Sequence, residues 1–169
     1  MKYRRELKKK EKEQLEKAAK KSIIASGARI IDSESKEAEA FAKMYYQEIR
    51  SMKTDVRKIA KNAGYKSSEI QRVKNYLFLE KSRYDEETGK MEYFHPDCAI
   101  AQSWQRLMLG KDIKPHDLTL IRHELYEMEI KTVNPGIGHQ EAHTIAASRF
   151  DYGREAEAYY DHLKKSAKK

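Results

Sequence analysis

From Ala38 onward, apolar residues recur every three or four positions, and the recurrence is cut at intervals by glycine, by proline or by a cluster of capping side chains. That pattern restricts the chain to short helices packed on a shared core. Asp32, Ser33 and Ser35 cap a first stretch carrying Ala38, Phe41, Ala42, Tyr45, Tyr46 and Ile49 at helical spacing. Asp55–Asn62 reads as a short helix, Gly64 breaks it, and Ser67 or Ser68 opens another with Ile70, Val73 and Leu77. Tyr76–Lys81 and Met91–His95 are aromatic and apolar, and Asp85–Gly89 separates them, which predicts a β-hairpin over about residues 76–95. Helices follow over Ala99–Leu109, His116–Thr132, His139–Arg149 and Arg154–Leu163, separated by Gly110, by Pro115, and by Asn134-Pro135-Gly136. The predicted class is mainly α: a compact multi-helix domain with one hairpin.

At 169 residues, the chain is long enough for one hydrophobic core and short for two. Its charge is uneven. Residues 1–21 hold ten basic side chains against four glutamates, and Lys164, Lys165, Lys168 and Lys169 crowd the end. Of the net +8, these segments contribute +6 and +4, so the body between them carries −2. The expected organisation is a basic helical arm over 1–30, a single helical domain over 31–163 and a basic tail over 164–169. The ends suit either plain solvation or contact with a polyanion. Cys98 is the only cysteine, which rules out an internal disulfide and a cysteine zinc cluster. The apolar runs are too short to cross a bilayer, so a soluble, cytoplasmic protein without a membrane partner is expected.

Two constellations bear on function. Ala60, Gly64, Ile70 and Val73 have the spacing of a helix-turn-helix, whose second helix would offer Lys66, Gln71, Arg72, Lys74 and Asn75 to a DNA groove. A purely architectural helical hairpin has the same spacing. The acidic tip Asp85-Glu86-Glu87 would repel phosphate and argues against a winged module.

The second constellation runs from His116 to His143. Leu118, Ile121, Leu125 and Met128 form one stripe of the predicted helix, while His123 and Glu127 lie one turn apart on another face. That helix is expected to be covered on two sides or to wall a pocket. The Pro135-Gly136 turn should return the next helix antiparallel and bring His139 or His143 to the same wall. His123, Glu124, Glu127 and His143 together suit a general acid/base pair, a divalent metal site, or a buried polar network without chemistry. His123-Glu124-Leu125-Tyr126-Glu127 begins like the zinc-peptidase motif, but Glu127 stands where that motif has histidine, which speaks against a peptidase. Arg106, beside the only tryptophan, Trp104, is expected to pair with Glu124 or Glu127 or to clamp a phosphate. Neither a particular metal nor a cofactor is assigned by these residues, and the oligomeric state is not legible.

The order Ile100-Ala101-Gln102-Ser103-Trp104-Gln105-Arg106-Leu107, Asp117-Leu118-Thr119-Leu120-Ile121-Arg122-His123-Glu124 with Glu127, Glu141-Ala142-His143, and Phe150-Asp151-Tyr152 resembles a C-terminal module of phage minor head (head morphogenesis) proteins of Gram-positive bacteria. Its His-Glu and Ala-His patterns are also similar to those of polymorphic-toxin C-terminal domains. The resemblance implies a helical module from a phage or prophage. It would act either as a toxin-like hydrolase or nuclease, with His123, Glu124, Glu127, His143 and Arg106 as site residues, or as a non-catalytic part that binds nucleic acid or a phage head protein.

Overall fold

Ser35 sets the first boundary: its hydroxyl accepts from the Ala38 amide at 3.1 Å, and Glu37 and Glu39 follow at the positive end of the helix. The computed structural model describes residues 30–169, so the expected basic arm lies outside the described residues. Helix α1 (Lys36–Ser51) turns Ala38, Phe41, Ala42, Tyr45, Tyr46 and Ile49 inward, as their spacing predicts. Helix α2 (Asp55–Ala63) ends at Gly64, whose φ of 75° is left-handed and open to glycine without strain. Helix α3 (Ser67–Lys74) packs back against α2.

Past Lys74 the chain does not extend. Asn75–Leu79 continues as a π-helical turn, which corrects the strand expected there. The helical continuation keeps Leu77 on the inward side already used by Ile70 and Val73. It also sets the Phe78 ring edge-on between Tyr46, 4.8 Å away, and Trp104, 5.0 Å away. An extended strand would turn alternate side chains away from that core. The hairpin is therefore shorter: β1 (Arg83–Asp85) pairs antiparallel with β2 (Lys90–Glu92), and Tyr84 opposes Met91 on an exposed surface.

Asp97 caps α4 (Cys98–Leu109), and Gly110 closes it at φ 67°. Pro115 opens α5 (Pro115–Val133), α6 (His139–Arg149) returns along it, and α7 (Tyr152–Ala167) is capped by Asp151. Helix α7 runs beyond Leu163, so Lys164 and Lys165 belong to its last turns and not to a separate tail. Mainly-α architecture is thus observed, with seven α-helices and one two-stranded hairpin among the described residues. None of these helices is long and apolar enough to cross a membrane.

Helix α5 contacts α3, α4, α6 and α7, so it is enclosed on more than one side. The stripe of Leu118, Leu125 and Met128 is only half-buried, whereas Leu120, Ile121, His123, Glu124 and Glu127 lie deepest. Burying so many polar groups is costly unless they are paired, and most of them find partners.

A second buried charge shows how the core meets that requirement. Asp55 is 1% exposed; it accepts from Lys74 Nζ at 2.9 Å and Trp104 Nε1 at 3.0 Å, while Lys74 also donates to the Met52 carbonyl at 2.8 Å. One carboxylate thus ties α2, α3 and α4 together. Replacing it by alanine strands a buried ammonium, and D55A is expected to lower unfolding stability by about 3–5 kcal/mol in urea titrations, with the D55A/K74M double variant recovering part of the loss.

Candidate metal centre

Residues 116, 117, 120, 123, 124, 127 and 131 share one face of α5 because a helix advances 100° per residue. The lower half of that face carries the candidate site. His123 lies with Nδ1 at 2.9 Å from the carbonyl of Phe150, in the bend between α6 and α7. A carbonyl only accepts, so Nδ1 carries the hydrogen and Nε2 is left facing inward. There Nε2 lies 3.2 Å from Glu127 Oε2 and 3.2 Å from His143 Nδ1, and the last two atoms are 3.3 Å apart. Three donor atoms from α5 and α6 thus form a nearly equilateral triangle. The antiparallel return of α6 brings His143 to this point.

The outer oxygen of Glu127 is held separately. Oε1 accepts from Lys131 Nζ at 2.9 Å and from the Tyr76 hydroxyl at 3.1 Å. Lys131 also donates to that hydroxyl at 2.8 Å, and His139 Nδ1 lies 3.0 Å from the ammonium. The π-helical turn is what carries Tyr76 to this place. Burial works to raise the Glu127 carboxyl, but hydrogen bonds from His123 and Lys131 outweigh it and hold the group well below the usual carboxylate range. In the same way burial works against a charged His123, yet its bonds to Glu127 and the Phe150 carbonyl raise its proton affinity. His139 moves the other way, lowered by burial and by the Lys131 ammonium.

Glu124 is different from its neighbours. It is 7% exposed, and its Oε2 has no hydrogen-bond partner among the described residues. Burial pushes its carboxyl up to about 7, against the pull of His123. Glu124, His123 and His143 line one cleft of about 480 Å³. Glu127 is sealed, with 2% of its side chain exposed, while half of the His143 side chain is open. The triangle therefore has a dry side and a wet side.

Arg106 does not join this cluster. Its guanidinium grips Asp117 through Nε at 2.8 Å and Nη2 at 2.7 Å, in place of the expected Glu124 or Glu127. Asp117 is the nearer acid because it also caps α5, accepting from the Lys114 amide at 2.8 Å, and takes a bond from Ser103 at 2.7 Å. On α3, Lys66, Gln71 and Arg72 are exposed, Gln71 donates to Asn75 at 2.8 Å, and Lys74 is buried on Asp55. Lys74 thus does not lie on the surface that a DNA groove would meet.

Tyr76, Lys131 and the Phe150 carbonyl are participants that the sequence reading did not single out. Lys131 could have been found, since it stands one turn after Glu127; the other two come from distant segments and left no local signal. No protein-family model, curated protein or solved structure matches the chain.

The Arg106 end of the same face has its own titration. Arg106 Nη2 lies 3.1 Å from His116 Nε2, which must therefore present a lone pair, and His116 is 4% exposed. Burial lowers its proton affinity; Asp117 and Glu155 oppose this, and Arg106 and Lys114 add to it. With the folded value below the unfolded value of about 6.5, the unfolded chain takes the proton first, so this stabilisation is full above about pH 6.5 and is lost as pH falls. The H116Q variant keeps an acceptor for Arg106 without a titrating ring. Urea titrations of the two proteins between about pH 7.5 and 5.5 are expected to show a shallower decline for the variant.

Proposed function

We propose that the chain is a metal-dependent hydrolase, a toxin-like module of phage or prophage origin, in which His123, Glu127 and His143 hold one divalent cation and Glu124 is the general base. The observation that carries this reading is the triangle of His123 Nε2, Glu127 Oε2 and His143 Nδ1, with edges of 3.2, 3.2 and 3.3 Å. A tetrahedral ion with bonds of about 2.0–2.1 Å spaces its ligands by about 3.3–3.4 Å. Zinc fits that spacing and the mixed nitrogen and oxygen donors.

Lone-pair accounting supports the same conclusion. His123 donates its Nδ1 hydrogen to Phe150, and an ionised Glu127 has no hydrogen to give. A single proton can bridge one edge of the triangle, whereas a cation at its centre serves all three corners. The hold of Phe150 on His123, and of Lys131 and Tyr76 on Glu127, is the outer support that orients ligands in metal sites. His143 supplies the second imidazole that the sequence motif lacks at its fifth position.

A divalent ion held by His123, Glu127 and His143 would supply an acidified, positioned water. Glu124, next to His123 on the cleft wall with an unpartnered oxygen, is placed to take that proton and later return it to a leaving group. The resemblance to toxin and phage minor head modules agrees with an effector of this kind, since the matched residues include all four groups.

Calorimetric titration with zinc and visible absorption with cobalt are expected to report one tightly held tetrahedral ion per chain. H143A is expected to weaken binding by at least about 100-fold. E124Q should keep the ion, yet lose about 100-fold in the hydrolysis of 4-nitrophenyl acetate by the zinc-loaded protein. Zinc affinity that is indifferent to H143A would end the proposal.

A further inference from the structure

Building on the metal-centre reading, we infer that the cleft selects a polypeptide segment rich in lysine or arginine and that the bond cut is an amide. Carboxylates dominate the charged groups of its lining: Glu34, Asp97, Glu124, Asp151, Glu157 and Asp161, with Lys164 as the only ammonium among the described residues. Two of these acids are already engaged as helix caps, Asp97 on the Ile100 amide at 2.9 Å and Asp151 on the Arg154 amide at 3.1 Å. Lys164 is engaged as well, by Asp32 at 3.2 Å.

That leaves Glu34, Glu157 and Asp161, all exposed and without an ion pair among the described residues. Glu157 and Asp161 are one turn apart on α7, and Glu34 comes from the segment before α1, so the negative charge is spread along the cleft. A cleft lined by one sign concentrates the opposite sign. Charge alone does not make a site; the second observation is the buried, unpartnered Oε2 of Glu124 at the wall shared with His123 and His143. Negative walls therefore lead to the place where the hydrolytic groups converge.

The same charges disfavour a nucleic acid. Phosphodiester hydrolysis calls for cationic clamps on the phosphate, and among the described residues the lining offers only an ammonium already paired to an aspartate. Arg106, the expected phosphate clamp, is turned onto Asp117. An amide needs no such clamp. With an ion holding a water at the centre, Glu124 would take a proton from it as the water oxygen bonds to the carbonyl carbon. The carbon–nitrogen bond then breaks, and Glu124 returns the proton to the departing nitrogen, leaving a carboxylic acid and an amine with one water consumed. Unpaired acids spaced along the walls suit a chain that presents several cations, and a single small amine would satisfy only one of them.

The test uses the full chain carrying E124Q, which leaves bound peptide intact, and fluorescence anisotropy with three labelled probes: a nonapeptide of alternating alanine with lysine or arginine, its glutamate counterpart, and an oligothymidine. The cationic peptide is expected to bind and the acidic one not to. Adding E157Q and D161N, both at exposed positions, should weaken the cationic peptide by about tenfold. Cationic-peptide binding that is unchanged in that variant overturns the proposal. So does cleavage of the oligothymidine by the zinc-loaded parent when E124Q abolishes it. Peptide binding is also measured in the ion-free protein, so charge selection is read independently of zinc; failure of the zinc titration then counts against the centre alone.

Discussion

The arrangement of the whole molecule follows from the decision to bury acids on its central helix. Asp117, Glu124 and Glu127 all face inward from α5, and buried carboxylates are tolerable only when donors surround them. Asp117 collects Arg106, Ser103 and a backbone amide; Glu127 collects Lys131, Tyr76 and the two histidines. Each of those donors comes from a specified element, so satisfying the acids fixes where α4, the π-helical turn and α6 sit. Glu124 alone retains an unsatisfied oxygen. Among the three acids of this helix, that exception marks the carboxylate whose oxygen is left available; elsewhere in the core only the Tyr45 hydroxyl, among the described residues, is likewise without a partner.

Local rules account for most of the element boundaries. Ser35, Asp97 and Asp151 accept from amides of their first turns, Gly64 and Gly110 take left-handed φ, and Pro115 opens α5, all from chemistry confined to a few neighbouring residues. The errors arose where the deciding partner is remote. Tyr76–Leu79 has the composition of a strand, and only the Tyr46 and Trp104 rings that receive Phe78 make it helical. Arg106 pairs with Asp117 instead of the expected Glu124 or Glu127 because the three acids share one helix face, and sequence spacing cannot rank them. The His123, Glu127 and His143 grouping was legible because both its parts are local: one helical turn joins the first two, and a short turn forces α6 back along α5.

Charge is also partitioned in a way that bears on the two functional constellations. The exposed side of α2 and α3, with the turn between them, carries Arg57, Lys58, Lys61, Lys66 and Arg72, whereas the charged groups lining the cleft are mostly carboxylates. A polyanion and a polycation would thus be drawn to different faces of one small domain. The helical pair is held internally by Asp55, which takes Lys74 away from the surface and uses it as a structural donor. That role accounts for the tie between α2 and α3 without any appeal to DNA.

The glutamate at the fifth position of the His123–Glu127 stretch changes more than the count of imidazoles. In the proposed centre a divalent ion on two neutral histidines and one carboxylate would have a net charge of +1, where three histidines would leave +2, so it would acidify its water less strongly. Lys131 would work against that loss, because an ammonium 2.9 Å from Glu127 Oε1 draws electron density from the carboxylate that the proposed ion would share. Tyr76 draws on the same oxygen, and both lie on the side of Glu127 turned away from His143. In the proposed centre the outer donors and the substituted ligand would form one compensating set. A weaker ligand field from Glu127 would restore some of the ion's acidity, and the buried Glu124 next to His123 would supply the base that such a water requires.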